Sequence, residues 1–254
     1  MSHHIVEAQD LHFTYPDGTE VLRGVSFLIT HGESVAIVGA NGAGKSTLLL
    51  HLNGYLTATN GVVRIGDDPI LSGNLKQVRR AVGLVFQDPE DQLFMPTVFD
   101  DVAFGPLNMG LPLDQVKKKV RTALETVGAW HLHDRPPYRL SGGEKRAVSI
   151  ATVLSMSPDI LVMDEPTSNL DPKSRRALIE LLKGFTHTKI IATHDLDMVM
   201  DLCHRTLVIR EGRIIADGPT SDIMQDEELL ASSSLEKPLS LRACPSCGKV
   251  PDPL

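Results

Sequence analysis

Residues Gly39-Ala40-Asn41-Gly42-Ala43-Gly44-Lys45-Ser46-Thr47 fit the pattern G-x-x-x-x-G-K-[ST], and their flanks narrow the fold further. Ser34-Val35-Ala36-Ile37-Val38 reads as a strand leading in. Thr47-Leu48-Leu49-Leu50 reads as the start of a helix leading out. Strand, glycine-rich loop and helix in that order build a cradle for phosphates. Glycines let the backbone wrap closely and aim N–H groups inward. Lys45 adds a positive charge near the outer phosphates, and Ser46 offers a hydroxyl to Mg²⁺. The helix N-terminus favours the same anion. The segment therefore predicts binding of a nucleoside triphosphate.

The rest of the chain alternates strand-like and helix-like segments, which indicates an α/β fold with a largely parallel sheet. Ile5 to Phe13 and Val21 to Thr30 read as strands around the turn Pro16-Asp17-Gly18, forming a small antiparallel layer ahead of the loop. Val82–Phe86, Ile160–Met163 and Lys189–Thr193 are apolar runs of the buried-strand type. Each ends on a polar residue, namely Gln87, Asp164 and His194. Ligands of open parallel sheets bind beyond the carboxyl ends of strands, so these three residues are expected to converge on Lys45. Pro112 to Gly128 reads as an amphipathic helix with Val116, Val120, Ala123 and Val127 on one face. Its lysines, Lys117, Lys118 and Lys119, and Arg121 read as a solvated face. Asp171-Pro172 starts a helix that Gly184 stops.

With 254 residues the chain is long enough for one large domain with a subdomain. We expect a nucleotide-binding domain over residues 1–231, a helical subdomain within it at about 88–155, and a mobile tail over 232–254. A net charge of −7 argues against a general nucleic-acid binder, which presents a basic face. No apolar run reaches the ~20 residues of a membrane helix, and Met1-Ser2-His3-His4 begins no apolar leader. The expectation is a cytosolic chain that does not cross a membrane. Three cysteines suggest no disulfide framework.

Asp164 and Glu165 put two carboxylates at a strand end. Asp164 can hold Mg²⁺ directly or through water, because Mg²⁺ prefers oxygen ligands. Glu165 can orient and deprotonate an attacking water beside a γ-phosphate. Leu140-Ser141-Gly142-Gly143-Glu144 resembles the signature of ATP-binding-cassette (ABC) ATPases. The resemblance runs from about residue 5 to residue 220 and keeps the family's order: Tyr15, the loop, Gln87, the signature, Asp164-Glu165, Ser168-Asn169-Leu170-Asp171 and His194. It implies an ABC core with a mostly parallel sheet, an antiparallel β layer and an α-helical signature subdomain. It implies that Tyr15 stacks on adenine and that residues 39–47, here Gly39, Asn41, Gly42, Ala43, Gly44, Lys45, Ser46 and Thr47, hold the phosphates. Gln87 would touch Mg²⁺ or the attacking water, and His194 the γ-phosphate. Ser141, Gly142 and Gly143 would reach the γ-phosphate of ATP on an opposing subunit. One chain then carries two half-sites, and two chains face head to tail as a homodimer with two ATPs between them. Asp171 would lie at that interface. Glu144 stands where many members have Gln, and Asn169 where a small residue is commoner.

A single cassette with no coiled-coil insertion and no membrane helix resembles the detachable motor of a transporter. The competing class is an ABC ATPase acting on nucleic acid or ribosomes. Phe86-Gln87-Asp88-Pro89-Glu90-Asp91-Gln92-Leu93-Phe94 resembles the corresponding loop of energy-coupling-factor importers, the cobalt, nickel and vitamin uptake systems. The resemblance implies a transmembrane coupling subunit, docked on a groove that Gln92, Leu93 and Phe94 face, and a substrate-binding membrane subunit. It places the chain peripherally on the cytoplasmic face of the membrane. Little ordered sequence is expected after Gly218, which tilts the substrate toward metals, cobalt first and nickel second. Cys244-Pro245-Ser246-Cys247 supplies two zinc ligands where a structural site wants four. It reads as a reduced pair in a mobile tail, with pooling between two tails the alternative.

Overall fold

The computed structural model describes residues 4–242. In chain order the elements are β1 His4–Thr14, β2 Glu20–Thr30, β3 Ser34–Val38, α1 Lys45–Leu52, β4 Asn60–Ile65, β5 Asp68–Pro69, α2 Leu75–Ala81, β6 Val82–Val85, α3 Val98–Asn108 and α4 Leu113–Thr126. There follow α5 Gly142–Leu154, β7 Ile160–Asp164, α6 Pro172–Lys183, β8 Thr188–Ala192, α7 Leu196–Leu202, β9 Arg205–Arg210, β10 Arg213–Pro219, α8 Thr220–Ile223 and α9 Glu227–Ser232. The chain forms two compact units: one runs to Ile70 and resumes at Ile190, and the other is Leu71–Lys189.

The first unit holds the expected antiparallel layer, in the order β2-β1-β4-β5. Its inward residues on β2 are Leu22, then Val25, Phe27 and Ile29. The step of three between Leu22 and Val25 breaks the period of two. The register against β1 shifts at the same place, between Leu11 and His12. A bulge inserts an unpaired residue and flips the phase, so both halves of the strand still bury their apolar set. β3 is buried along its whole length. It pairs in parallel with β9, Val35 opposite Arg205 and Val38 opposite Val208, and β9 pairs antiparallel with β10. Thr193 N donates to Ile37 O at 3.2 Å, so the segment leading to His194 runs beside β3.

The chain after Gly218 departs from expectation. Residues 232–242 are not a bare tail. Ser233 is 1% exposed and Leu235 9%. The Asp197 carboxylate accepts from Leu239 N at 3.2 Å and Ser240 N at 2.9 Å. Short apolar residues spaced among serines carry no periodicity, so only the tertiary partner, α7, shows that they dock. Cys244 and Cys247 lie outside the described residues.

In the second unit β6 and β7 pair in parallel, Leu84 opposite Val162 and Val85 opposite Met163. Both are fully buried, as their unbroken apolar runs require. The helices α3, α4 and α5 enclose a separate core that includes Leu93, Val102, Val120, Leu124, Leu132 and Val148. The face of α4 is the one its spacing predicts, with Val116, Val120 and Ala123 buried and Leu124 added. Each fully buried Val or Leu there contributes about 1.5–3 kcal/mol. Thr97 caps α3 through Asp100 N, and Asp171 caps α6 with Pro172 at its first position.

Candidate nucleotide site

The loop between β3 and α1 lies in the first unit. Gly39 is at φ +159°, and a Cβ there would fall 2.1 Å from Ile209 O on β9. Only glycine lets the loop leave β3 this close to its neighbouring strand. Gly44 caps α1. Lys45 is 6% exposed, and its ammonium donates to Gly39 O at 2.8 Å and Ala40 O at 3.1 Å. The charge is therefore curled back over the loop's own backbone. Asn41, Gly42 and Ser46 are exposed, whereas Ala43 and Thr47 are buried. Tyr15 is half-buried. Its hydroxyl lies 3.1 Å from Thr47 Oγ1, and its ring meets Phe13 edge-on at 4.8 Å between centroids. Phe13 in turn meets His51 edge-on at 4.7 Å. His51 Nδ1 lies 2.7 Å from Thr47 O, so the ring donates from Nδ1 one helical turn back along α1. Burial holds the His51 pKa below the usual imidazole value. His194 leaves the end of β8 exposed, with Asp195 behind it capping α7.

In the second unit Gln87 and the Asp164-Glu165 pair leave the same ends of two adjacent parallel strands. Gln87 is exposed, while Asp164 is 8% and Glu165 5% exposed. Glu165 sits at φ +44°. The left-handed region costs a residue with a Cβ about 1–2 kcal/mol, and such strain persists where the surroundings over-determine it. Asn169 is also left-handed, at φ +61°. Asn tolerates this conformation better than most side chains, which accounts for its departure from a commoner small residue. Ser141 caps α5 through a complete capping box. Its hydroxyl oxygen accepts from Glu144 N at 3.3 Å, and Glu144 Oε2 accepts from Ser141 N at 2.8 Å. The hydrogen bonds that Glu144 Oε2 accepts from Ser141 N and from the Ser141 hydroxyl, at 2.9 Å, hold the carboxyl below its ordinary pKa. Glu144 in place of Gln therefore starts the helix, as a capping residue does.

One supporting residue, Arg146, is not singled out by the sequence. Arg146 is 3% exposed on α5 and donates to the carbonyls of Phe86, at 2.7 Å, and Gln87. It thereby ties the signature helix to the backbone that carries Gln87. Its signal in the sequence is weak: an Arg at helical spacing from the apolar residues Ile150 and Val153. Gln92 corrects an expectation. It does not face a docking groove, because its amide donates to Ser149 O at 2.8 Å and Thr152 Oγ1 at 2.6 Å and accepts from Phe86 N at 3.2 Å. Leu93 is core. Of the three residues expected to face the groove, Phe94 alone is exposed, at 64%, against Phe104 at 5.1 Å between ring centroids. Asp101, buried beneath, accepts from Phe94 N and Met95 N at 3.0 Å each. Burial raises its pKa.

Each unit offers hard oxygens: the first the Ser46 hydroxyl, the second the Asp164 carboxylate and the Gln87 amide oxygen. No group of three or more His, Cys, Asp or Glu side chains among the described residues could cage a metal. Oxygen donors of this kind suit Mg²⁺ chemically, since that ion takes few protein ligands and completes its shell with phosphate oxygens and water.

The family model described as "ABC transporter" matches residues 22–168, more than half of the chain. An ABC transporter ATP-binding protein of Geobacter sulfurreducens is 70% identical over 249 residues, covering 98% of this chain and 100% of that protein. The energy-coupling factor transporter ATP-binding protein EcfA of Methanocaldococcus jannaschii is 47% identical over 242 residues, covering 92% of this chain and 86% of that protein. Among solved structures, cbiO1 from Clostridium perfringens, part of the ABC transporter complex cbiONQ, superimposes with a TM-score of 0.79 at 40% identity, covering 91% of this chain and 94% of that one. Among the described residues no helix is long and apolar enough to cross a membrane. The α/β architecture, its antiparallel layer and its helical core are those of an ABC ATPase, and the chain belongs to the ABC transporter ATPases as an ATP-hydrolysing, EcfA-like cassette.

Proposed function

We propose that this chain is the ATP-hydrolysing motor of an energy-coupling-factor importer, acting as a homodimer on the cytoplasmic face of the membrane. The likeness to EcfA over 92% of the chain carries this reading. ATP would bind with its adenine against Tyr15 and its phosphates in residues 39–47. Lys45 would exchange the carbonyls of Gly39 and Ala40 for phosphate oxygens. Ser46, Asp164 and Gln87 would hold Mg²⁺, which neutralises charge developing on the phosphates. Glu165 orients the attacking water and accepts its proton as the water oxygen bonds to the γ-phosphorus. The bond from that phosphorus to the bridging oxygen breaks, and ADP leaves. His194 keeps the water, the γ-phosphate and Glu165 in line. Ser141, Gly142 and Gly143 would complete the site of the opposing subunit, with Asp171 at the same interface.

Two ATPs between two chains join them, and hydrolysis releases them. That cycle would move the region from Gln87 to Phe94 and push a membrane coupling subunit docked on Phe94 and Phe104. A substrate-binding membrane subunit completes the importer. The cargo we propose is a divalent transition metal, Co²⁺ before Ni²⁺. Residues 220–242 are ordered, so an expected lack of order after Gly218 no longer supports a metal, and a vitamin is the second reading. The test is the cobalt and nickel content of cells lacking the chain, complemented with the native chain or with Lys45→Ala. Loss of one metal restored only by the native chain is the expected result. Unchanged levels of both, with redundant uptake excluded, leave the vitamin reading.

A further inference from the structure

The two glycines of the signature are in different surroundings. A Cβ on Gly142 would meet nothing nearer than Asn169 O at 4.0 Å. A Cβ on Gly143 would lie 2.6 Å from Ser174 Oγ and 3.2 Å from Ser174 Cβ. Real Cβ atoms do not approach that closely, so Gly143 is demanded by space, on an ordinary helical backbone. The obstacle is itself held in place. Asp171 Oδ2 accepts from Ser174 Oγ at 2.6 Å, and Oδ1 accepts from Ser174 N at 3.1 Å and Lys173 N at 2.9 Å. The carboxylate favours the rotamer that faces Gly143, turning the hydroxyl away breaks this hydrogen bond, and Ser174 Cβ stays at 3.2 Å in any rotamer. These hydrogen bonds also hold the Asp171 carboxyl below its ordinary pKa, so the grip persists at neutral pH.

We infer that Ser174 is a positioning residue for the signature: clamped by Asp171, it abuts Gly143 and makes the N-termini of α5 and α6 one rigid piece. This inference rests on the reading of Ser141–Gly143 as the γ-phosphate contact of an opposing subunit. A displacement felt at Asp171 is then delivered to the backbone N–H groups at the start of α5. Close-packed contacts transmit such shifts because they cannot deform gradually. Neither residue belongs to the loop that binds ATP within its own chain, so the clamp governs turnover and leaves the chain's own ATP affinity alone.

The test measures kcat, KM and ATP affinity of the full-length protein as Gly143→Ala, Ser174→Gly and the double variant, with Lys45→Ala as reference. Gly143→Ala is expected to lower kcat at least tenfold with ATP affinity within twofold of the parent. Ser174→Gly removes both atoms that collide, so the double variant should recover at least a third of parental kcat. Ser174→Gly alone should lower kcat severalfold at unchanged affinity, because the clamp is gone. A double variant no faster than Gly143→Ala overturns the inference, as does parental kcat in Gly143→Ala. If Gly143→Ala fails to fold, Ser174→Gly decides: a fall in kcat at constant affinity supports the clamp, and parental kcat overturns it. A parent whose turnover equals that of Lys45→Ala overturns the motor reading itself, a result separate from failed rescue.

Discussion

Glu165 shows what a single residue contributes beyond its charge. It is buried, left-handed and followed by Pro166, whose ring restricts the backbone on its N-terminal side. The carboxylate therefore projects from a backbone with little freedom, which suits a general base whose value lies in alignment. Glu165→Gln keeps the shape and removes the proton acceptor. Turnover is expected to fall about 10²–10⁴-fold, the usual range for a lost general base, with ATP affinity retained. Steady-state phosphate release beside equilibrium nucleotide binding checks both halves, and parental turnover removes Glu165 from its role. The acidic pair was legible in the sequence because a buried strand ran directly into it. Its strained backbone was not, since φ depends on what the following loop packs against.

At the scale of elements, α1 does more than present a dipole to phosphates. His51 bonds back to Thr47 O and packs on Phe13, which packs on Tyr15. A buried neutral histidine thus underlies both the phosphate loop and the aromatic ring assigned to adenine. Its pKa is lowered first by burial, so the folded chain releases the proton at a pH where the unfolded chain still binds it. Above the ordinary imidazole value of about 6.5 both states are neutral and no penalty arises. As pH falls from there toward the lower folded value, the unfolded chain gains a proton that the folded chain refuses, and stability declines. We predict that the stability advantage of the native chain over His51→Gln, clear at pH 7.5, shrinks on going to pH 5.5. Thermal unfolding at both pH values checks this, and a constant difference would assign the site no linkage. The start of α1 was readable from Gly44-Lys45. His51 was not, because only packing distinguishes a buried histidine from an exposed one.

At the scale of the whole molecule, the signature implies that one chain supplies complementary halves of two sites. A hydrolysis-deficient chain should then accumulate the closed pair. Glu165→Gln with ATP and Mg²⁺ is expected to run as a dimer by light scattering and as a monomer without nucleotide. Lys45→Ala should stay monomeric in both conditions. A monomer of Glu165→Gln at saturating ATP would contradict the head-to-tail arrangement. The charge balance is consistent with a protein partner in preference to nucleic acid, since the net charge is −7.

Local signals determined the parts of this protein that obey local physics. The phosphate loop, the buried strands, the amphipathic face of α4 and the Asp171-Pro172 helix start each rest on steric or hydrogen-bonding rules confined to a few neighbours. The ordered set of motifs determined the family. Only the tertiary structure decided that Gln92 braces α5 while Phe94 faces outward, that Arg146 holds the Gln87 backbone, and that residues 232–242 dock against α7. It also decided that Gly143 and Ser174 meet. Such contacts join residues 30 to 60 positions apart in the chain, as with Gly143 to Ser174 and Arg146 to Phe86. No short-range pattern records them, because what selects each side chain is the space and the unpaired backbone groups left by elements folded elsewhere.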